Sequence, residues 1–176
     1  MKKFVSTAVA LMMALACFAG CSSPAATSDG TLKVGMLAPL TGAVAEYGQA
    51  VANGVRMYTE ELNAKGGVNG KQIELVEYDE EGDSAKAVTG YNSLVDQDVT
   101  AIIGDVTTAP TVAVVVESQA DNMPMITPTG TAAEITKKGK NVFRTCFIDP
   151  FQGELMAHYA YNKLGKKSAA IIYNIS

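Results

Sequence analysis

Short apolar runs alternate along this chain with longer segments whose apolar residues recur at helical spacing. The runs have the length of buried strands, and most of them end at a turn rich in Gly, Pro, Thr or Asp. Strands that alternate with helices indicate an α/β fold with a parallel sheet. Strands are predicted at 31–38, 72–78, 101–104, 125–127 and 168–173, with a short extended segment at 141–144.

The segments between the strands are predicted to be helices. Asp83 is the expected N-cap of one of them. The valines at 112–116 would also suit a strand, but two parallel strands need a crossover connection, which favours a helix there. After the first helix, discussed below, helices are predicted at 84–95, 111–119 and 149–164.

Two hydroxyl-rich turns follow the predicted strands 101–104 and 125–127. Parallel strands joined by a helix place their carboxyl ends at one edge of the sheet, where α/β proteins bind ligands. Thr108 is expected to cap a helix, and Thr131 to Glu134 matches a capping box, so free N–H groups and a helix dipole would favour a carboxylate. Any one threonine could be only a cap or turn residue, but together they indicate a site. These threonines are Thr107, Thr108, Thr129 and Thr131.

The first helix is predicted to end at Ala64, before Lys65-Gly66-Gly67. Its apolar stripe is expected to lie mostly in the core. The stripe consists of Tyr47, Val51, Val55, Tyr58 and Leu62. Tyr47 is in the first turn, near the edge that carries the threonines, so covering a ligand and packing in the core are both open interpretations.

The first 21 residues have the pattern of a secretory signal. Two lysines precede an apolar run at 8–19, which is too short to span a membrane, and small residues follow. Ala19-Gly20-Cys21 is similar to a bacterial lipoprotein cleavage site, in which the cysteine becomes the lipidated first residue; cleavage after Ala16 is the alternative. We therefore expect a signal peptide at 1–20 and a lipid-anchored tether at 21–30, on the extracytoplasmic face of a bacterial membrane.

Charge and cysteine content exclude several kinds of partner and site. Removing residues 1–20 takes two of the 14 basic side chains and leaves 12 against 18 acidic ones, a formal charge of −6. This acidic balance argues against nucleic acid as a partner. Cys146 would be the one remaining thiol and is expected to be a small buried residue. His158 is the only histidine, so no Cys/His pair or two-histidine metal motif is predicted.

The acidic segment 79–83 invites a metal hypothesis, but its spacing does not match a calcium loop. Apart from the helix-capping Asp83, its carboxylates are expected to be solvated. The sequence contains no G-x-x-x-x-G-K-[ST], no G-x-G-x-x-G after a strand and no G-x-S-x-G. We therefore predict neither an enzyme nor a cofactor.

Four stretches carry a family resemblance: VGMLAPLTGAVAEYGQAVANGV, LNAKGGVNGKQIELVEYDEEGD, IIGDVTTAPT and MPMITPTGTAAEIT. They are similar, in content and order, to the leucine-binding type of solute-binding protein from branched-chain amino-acid ABC transporters. The resemblance extends over nearly everything after Gly30. It implies the periplasmic-binding-protein type I fold, with two doubly wound, mostly parallel lobes that close on a ligand about a hinge. The implied partners are an amino acid or similar zwitterion and the permease subunits.

The resemblance also implies residue roles by motif position. Thr108 would bind the ligand carboxylate through its hydroxyl and backbone N–H, and Thr131 stands at a second such position. Thr129 would offer its backbone carbonyl to the ligand ammonium group, and Tyr47 would line the side-chain pocket. Thr107 and Asp105 flank this site.

The resemblance places most of the first lobe at 31–145, and the hinge crossing with the start of a second lobe at 146–176. We therefore expect this chain to be the front portion of a longer protein and to bind its ligand weakly or not at all by itself. Leucine, isoleucine and valine are the default ligands; small amides, ureas and aromatic acids remain alternatives. An extracellular sensory module of a receptor, which uses the same fold, is the other functional alternative.

Overall fold

The computed structural model describes residues 30–173, so the predicted signal peptide and Cys21 lie outside the described residues. A five-stranded, wholly parallel sheet forms the centre. Its strands are β1 (Leu32–Ala38), β2 (Ile73–Asp79), β3 (Ile102–Ile103), β4 (Met125–Thr127) and β5 (Val142–Arg144). The helices are α1 (Ala45–Ala64), α2 (Ser84–Val95), α3 (Thr108–Asp121) and α4 (Asp149–His158), with a 3-10 turn at Ile135–Lys137 and a π-helical turn at Tyr159–Lys163.

The strands lie in the order β2-β1-β3-β4-β5. Strand β1 pairs with β2 along its whole length and with β3 on its other side, where Gly35 is opposite Ile102. Helices α1 and α2 both contact β1 and β2 but not each other, so they lie on opposite faces of the sheet. Helix α3 packs beside α2 and contacts β4 and β5. The predicted parallel, doubly wound α/β architecture is confirmed.

The hydrophobic core lies between the sheet and the face covered by α2 and α3. Tyr91 and Leu94 of α2, Val114 and Val115 of α3, and Leu37 of β1 are completely buried there. Asp83 accepts a hydrogen bond from the backbone N–H of Lys86 at 2.8 Å, which confirms the predicted N-cap of α2. The helix predicted at 111–119 is also present and is longer than expected.

The buried face of α1 differs from the predicted stripe. Tyr58 is 58% exposed, and the residues that face the sheet are Gly48 and Ala52. A Cβ atom added at Gly48 would lie 2.0 Å from the carbonyl oxygen of Pro39, so the helix approaches the backbone more closely than a larger side chain permits. Small residues therefore take the contact positions, and the larger side chains flank them.

Both predicted caps at the hydroxyl-rich turns are wrong. Thr108 is the first helical residue of α3, and Thr107, the N-cap, makes no side-chain capping bond. No α-helix begins at Thr131: the next helical element is the 3-10 turn Ile135–Lys137, which also lacks a side-chain cap. The guanidinium of Arg144 instead holds this part of the chain by bonding the carbonyls of Gly130 and Ala132.

Beyond β5 the chain leaves the sheet. Helix α4 and the π-helical turn contact each other and no other helix or strand of the described chain. The strand predicted at 168–173 is absent, and Ile172 is 99% exposed. Within residues 30–173 no neighbouring strand is available to it, and a single strand cannot satisfy its backbone groups.

Candidate functional site

The candidate site lies where the strand order of the sheet reverses. From β1 the chain moves outward to β2 and then crosses back to β3 on the other side of β1. The loops that follow β1 and β3 therefore diverge to opposite faces and leave a crevice at the carboxyl edge. Open α/β sheets bind ligands at such a switch point.

A cavity of about 260 Å³ opens at this edge. Its lining residues come from three elements: the first turn of α1, the β3–α3 turn and the turn after β4. They are Tyr47, Val106, Thr107, Thr108 and Thr129. Four of the five predicted ligand-binding residues are thus brought together, with Val106 as an apolar addition that the sequence had not suggested.

The two hydroxyl-rich turns are joined by hydrogen bonds. Thr129 donates its hydroxyl to the carbonyl of Val106, and Thr127 donates its hydroxyl to the carbonyl of Asp105 at 2.7 Å. The backbone N–H of Gly130 donates to the Thr127 hydroxyl at 2.9 Å. The Thr129 hydroxyl therefore already has a partner within the protein. No described residue donates a hydrogen bond to the backbone carbonyl of Thr129.

Helix α3 presents unused donors at the cavity. Thr111 satisfies the carbonyl of Thr107 with both its N–H, at 3.1 Å, and its hydroxyl, at 2.5 Å. The first N–H groups of a helix have no partner within the helix, and Pro110 has no N–H at all. Within residues 30–173, neither the Thr108 hydroxyl nor the N–H groups of Thr108 and Ala109 form a hydrogen bond. Together with the helix dipole, these donors suit an anion such as a carboxylate.

Tyr47 and Thr131 occupy different places relative to the cavity. Tyr47 lines it from the first turn of α1 and is 62% exposed, so it is a rim residue and not part of the core. Thr131 does not line it, and its carbonyl accepts a hydrogen bond from the N–H of Asp149 at 3.1 Å.

A buried acidic pair lies beside the β3–α3 turn. Glu80 and Asp105 are both completely buried, and their carboxyl groups lie close enough to interact with each other. Burial, reinforced by repulsion from Glu80, raises the pKa of Asp105 to about 8, and burial also raises the pKa of Glu80. At neutral pH Asp105 is therefore largely protonated, and the expectation that Glu80 is solvated is wrong.

The rest of the acidic segment serves local structure. Asp79 accepts hydrogen bonds from the N–H groups of Leu40, Thr41 and Glu81 and from the Thr41 hydroxyl, so it fixes the loop between β1 and α1. In the described part of the chain, no group of three or more His, Cys, Asp or Glu side chains could hold a metal ion. Among residues 30–173, no helix combines the length and apolar composition needed to cross a bilayer.

Cys146 is half-buried and not enclosed as expected, and its thiol lies 3.5 Å from the carbonyl of Gly130. His158 is an exposed residue of α4, where Glu154 is its only ionic neighbour in the described chain. The two side chains belong to different parts of the fold, so they do not form a nucleophilic pair.

The sequence model of the periplasmic binding protein family matches residues 31–175. The chain belongs to this family. The family is one of binding proteins, and membership implies an extracytoplasmic location.

Two curated relatives of this periplasmic binding protein are both named for binding leucine, isoleucine and valine. The Leu/Ile/Val-binding protein BraC3 of Rhizobium johnstonii is 36% identical over 96% of this chain and 44% of its own length. The leucine-, isoleucine-, valine-, threonine-, and alanine-binding protein of Pseudomonas aeruginosa is 35% identical over 99% of this chain and 46% of its own length. The chain thus spans less than half the length of the curated relatives it matches.

Solved structures agree with the fold. The branched-chain amino acid transporter substrate binding protein LivJ of Streptococcus pneumoniae, in complex with isoleucine, has a TM-score of 0.74 and 34% identity, covering 77% of this chain and 39% of that one. A solute binding protein from R. palustris, in complex with benzoate, has a TM-score of 0.70 and 32% identity, covering 78% and 38%. The match covers less than two fifths of each solved chain, an extent that is consistent with a partial first lobe.

Proposed function

We propose that this protein is the solute-binding component of an ABC transporter, and that it captures a branched-chain or related amino acid in a cleft between two lobes. The observation that carries the proposal is the cavity at the switch point, where the unused donors of α3 face Tyr47 and the turn after β4. The first lobe would read the head group of the ligand. The segment 146–176 would form the hinge crossing and the start of the second lobe.

Each predicted site residue has a role in this proposal. Thr108 donates its hydroxyl and N–H to the ligand carboxylate, with Thr107 beside it and Thr131 as a second hydroxyl position. Thr129 offers its carbonyl to the ligand ammonium group, since its hydroxyl is already bonded to Val106. Tyr47 covers the ligand side chain. Isoleucine and benzoate, the ligands of the two related structures, share only a carboxylate, which supports a carboxylate anchor.

A ligand panel on the complete gene product tests the proposal. Isothermal titration would compare leucine with 4-methylpentanoate, which lacks the ammonium group, and with 3-methylbutylamine, which lacks the carboxylate. We expect leucine to bind, the acid to bind more weakly and the amine not to bind. If the protein bound benzoate but no amino acid, the proposed ligand class would change to aromatic acids. Equal binding of amine and leucine would contradict a carboxylate anchor.

We also propose that Cys21 carries the lipid that holds the protein at the membrane, near its permease. This follows from the residues before Cys21 and not from the described part of the chain. Intact mass spectrometry of protein extracted from its native membrane would reveal a lipid adduct. Cys21→Ser should abolish the adduct and release the protein, whereas an unmodified chain that begins after Ala16 would contradict this assignment.

A further inference from the structure

One side chain of β5, Arg144, forms hydrogen bonds with the ligand turn, which we define as residues 127–132. Arg144 Nη1 donates to the carbonyl of Gly130 at 2.8 Å and to that of Ala132 at 2.9 Å, and Nη2 donates to the Thr136 hydroxyl at 3.2 Å. We propose that Arg144 is a positioning residue for ligand binding, which orients the backbone of Thr131 through these two carbonyls. The proposal rests on the proposed function.

Peptide geometry explains how Arg144 acts on Thr131. In a trans peptide the carbonyl of one residue and the N–H of the next point in opposite directions. The bond to the Gly130 carbonyl therefore directs the Thr131 N–H away from the guanidinium. No described residue accepts a hydrogen bond from that N–H. Arg144 thus fixes the direction of a donor that the protein itself does not use.

The guanidinium acts as a hydrogen-bond donor and not as an ion-pair partner. Within residues 30–173 no carboxylate forms a salt bridge with Arg144, although the other arginine, Arg56, is paired with Glu77. The side chain is half-buried, and its bonds go to main-chain carbonyls and a hydroxyl. Two N–H donors in a rigid plane can fix two carbonyls at once, which a single ammonium group cannot do with the same geometry.

Neighbouring residues connect the ligand turn to the segment on which the chain leaves the sheet. The N–H of Thr145 donates to the Thr127 carbonyl at 3.2 Å, and its hydroxyl donates to the Pro128 carbonyl at 3.2 Å. The Asp149 N–H donates to the Thr131 carbonyl at 3.1 Å. Residues 144–149 and the ligand turn are therefore linked by hydrogen bonds along the whole turn, and Arg144 supplies those to Gly130 and Ala132.

The test measures ligand affinity in the complete gene product by isothermal titration with leucine. Arg144→Ala should weaken binding about tenfold, because a misplaced Thr131 N–H would weaken one hydrogen bond to a charged group of the ligand. Arg144→Lys should recover part of the loss, since an ammonium can reach one carbonyl. Arg56→Ala is the matched control, because it also removes an arginine but lies on α1, away from the turn; its affinity should equal that of the natural protein.

A double-mutant cycle separates positioning from general loss of structure. If Arg144 orients the Thr131 backbone, it also places the Thr131 hydroxyl that the backbone carries, so Arg144→Ala and Thr131→Ala together should weaken binding by less than the product of their separate effects. The effects of Arg144→Ala and Thr108→Ala should multiply. Unchanged affinity in Arg144→Ala, or coupling of equal size with both threonines, would overturn the proposal. If Arg144→Ala does not fold, full affinity in Arg144→Lys would overturn it instead.

The same titrations distinguish failure of the proposed function from failure of the role proposed for Arg144. A natural protein that binds neither leucine nor any other member of the panel refutes the function, and with it the positioning role. A natural protein that binds leucine, with an Arg144→Ala variant that binds equally well, refutes only the role of Arg144.

Discussion

At the scale of single residues, Thr108 and Thr129 have different hydrogen-bonding positions although both line the same cavity. The Thr129 hydroxyl is bonded to the Val106 carbonyl and joins the two turns. The Thr108 hydroxyl has no partner among the described residues and lies at the start of α3. Thr108 is therefore the residue whose side chain can contribute directly to a ligand.

Thr108→Ala in the complete gene product should weaken every carboxylate ligand by about 1 to 3 kcal/mol, the value of a lost hydrogen bond to a charged group. Thr89→Ala, which changes an exposed threonine of α2, is the control and should leave affinity unchanged. Isothermal titration with leucine measures both. An affinity in Thr108→Ala equal to that of the control would place the anchor elsewhere.

The Asp105 carboxyl should make stability fall as pH rises. Its pKa is raised to about 8 in the folded chain, so between roughly pH 4 and pH 8 the folded state holds a proton that the unfolded state has released. Urea unfolding should show the free energy of unfolding decreasing across this window and levelling above it, and the buried Glu80 acts in the same direction. Asp105→Asn should flatten the dependence, whereas Asp96→Asn, an exposed control, should not. A flat profile for the natural chain would contradict the assignment.

At the scale of elements, α1 contains two glycines in opposite situations. A Cβ at Gly48 would meet the Pro39 carbonyl oxygen at 2.0 Å, while a Cβ at Gly54 would meet nothing within 4 Å. Gly48→Ala should lower the free energy of unfolding by about 1 to 3 kcal/mol through overpacking. Gly54→Ala should raise it by about 0.5 to 1 kcal/mol, because alanine favours the helix. Denaturant unfolding of both variants should give opposite signs; equal signs would mean that α1 does not contact the Pro39 backbone.

Elements with local signals were predictable from the sequence. Helix α2 matches its prediction because Asp83 caps it and its apolar residues face one side, and β4 matches as a short apolar run between turns. The capping box after Thr131 failed because a distant residue, Arg144, determines that backbone. The segment 168–173 has the composition of a strand, but strand formation also requires a neighbour.

The position of the candidate site followed from topology more than from any single motif. The crossover rule placed the threonine turns at one edge, and the structure brings Thr107, Thr108 and Thr129 together there with Tyr47. The burial of Glu80 and Asp105 could not be inferred, because it depends on how the ends of β2 and β3 pack. The ligand contacts of the threonines and Tyr47 are proposals, and the Thr108 and Thr131 variants test two of them.

At the scale of the whole molecule, a cleft between two lobes requires contacts from both. We expect the complete gene product to bind its ligand and this 176-residue chain to bind weakly or not at all, because one lobe would leave part of the charged ligand without partners. Side-by-side titration of the two proteins with leucine measures the difference. Micromolar binding by the isolated chain would contradict this expectation.

The pairing of β1 with both β2 and β3 has a consequence for the order in which the fold can assemble. Gly35 pairs with Ile102 across the sheet, so β1 has both of its neighbours only when β3, from far along the chain, has docked beside it. Every strand pair in this sheet is parallel and spans a crossover, which gives the fold a high contact order and slow folding. Strand β1 is therefore synthesised well before its second neighbour, β3. Until β3 has docked, the apolar residues of β1 need protection from aggregation.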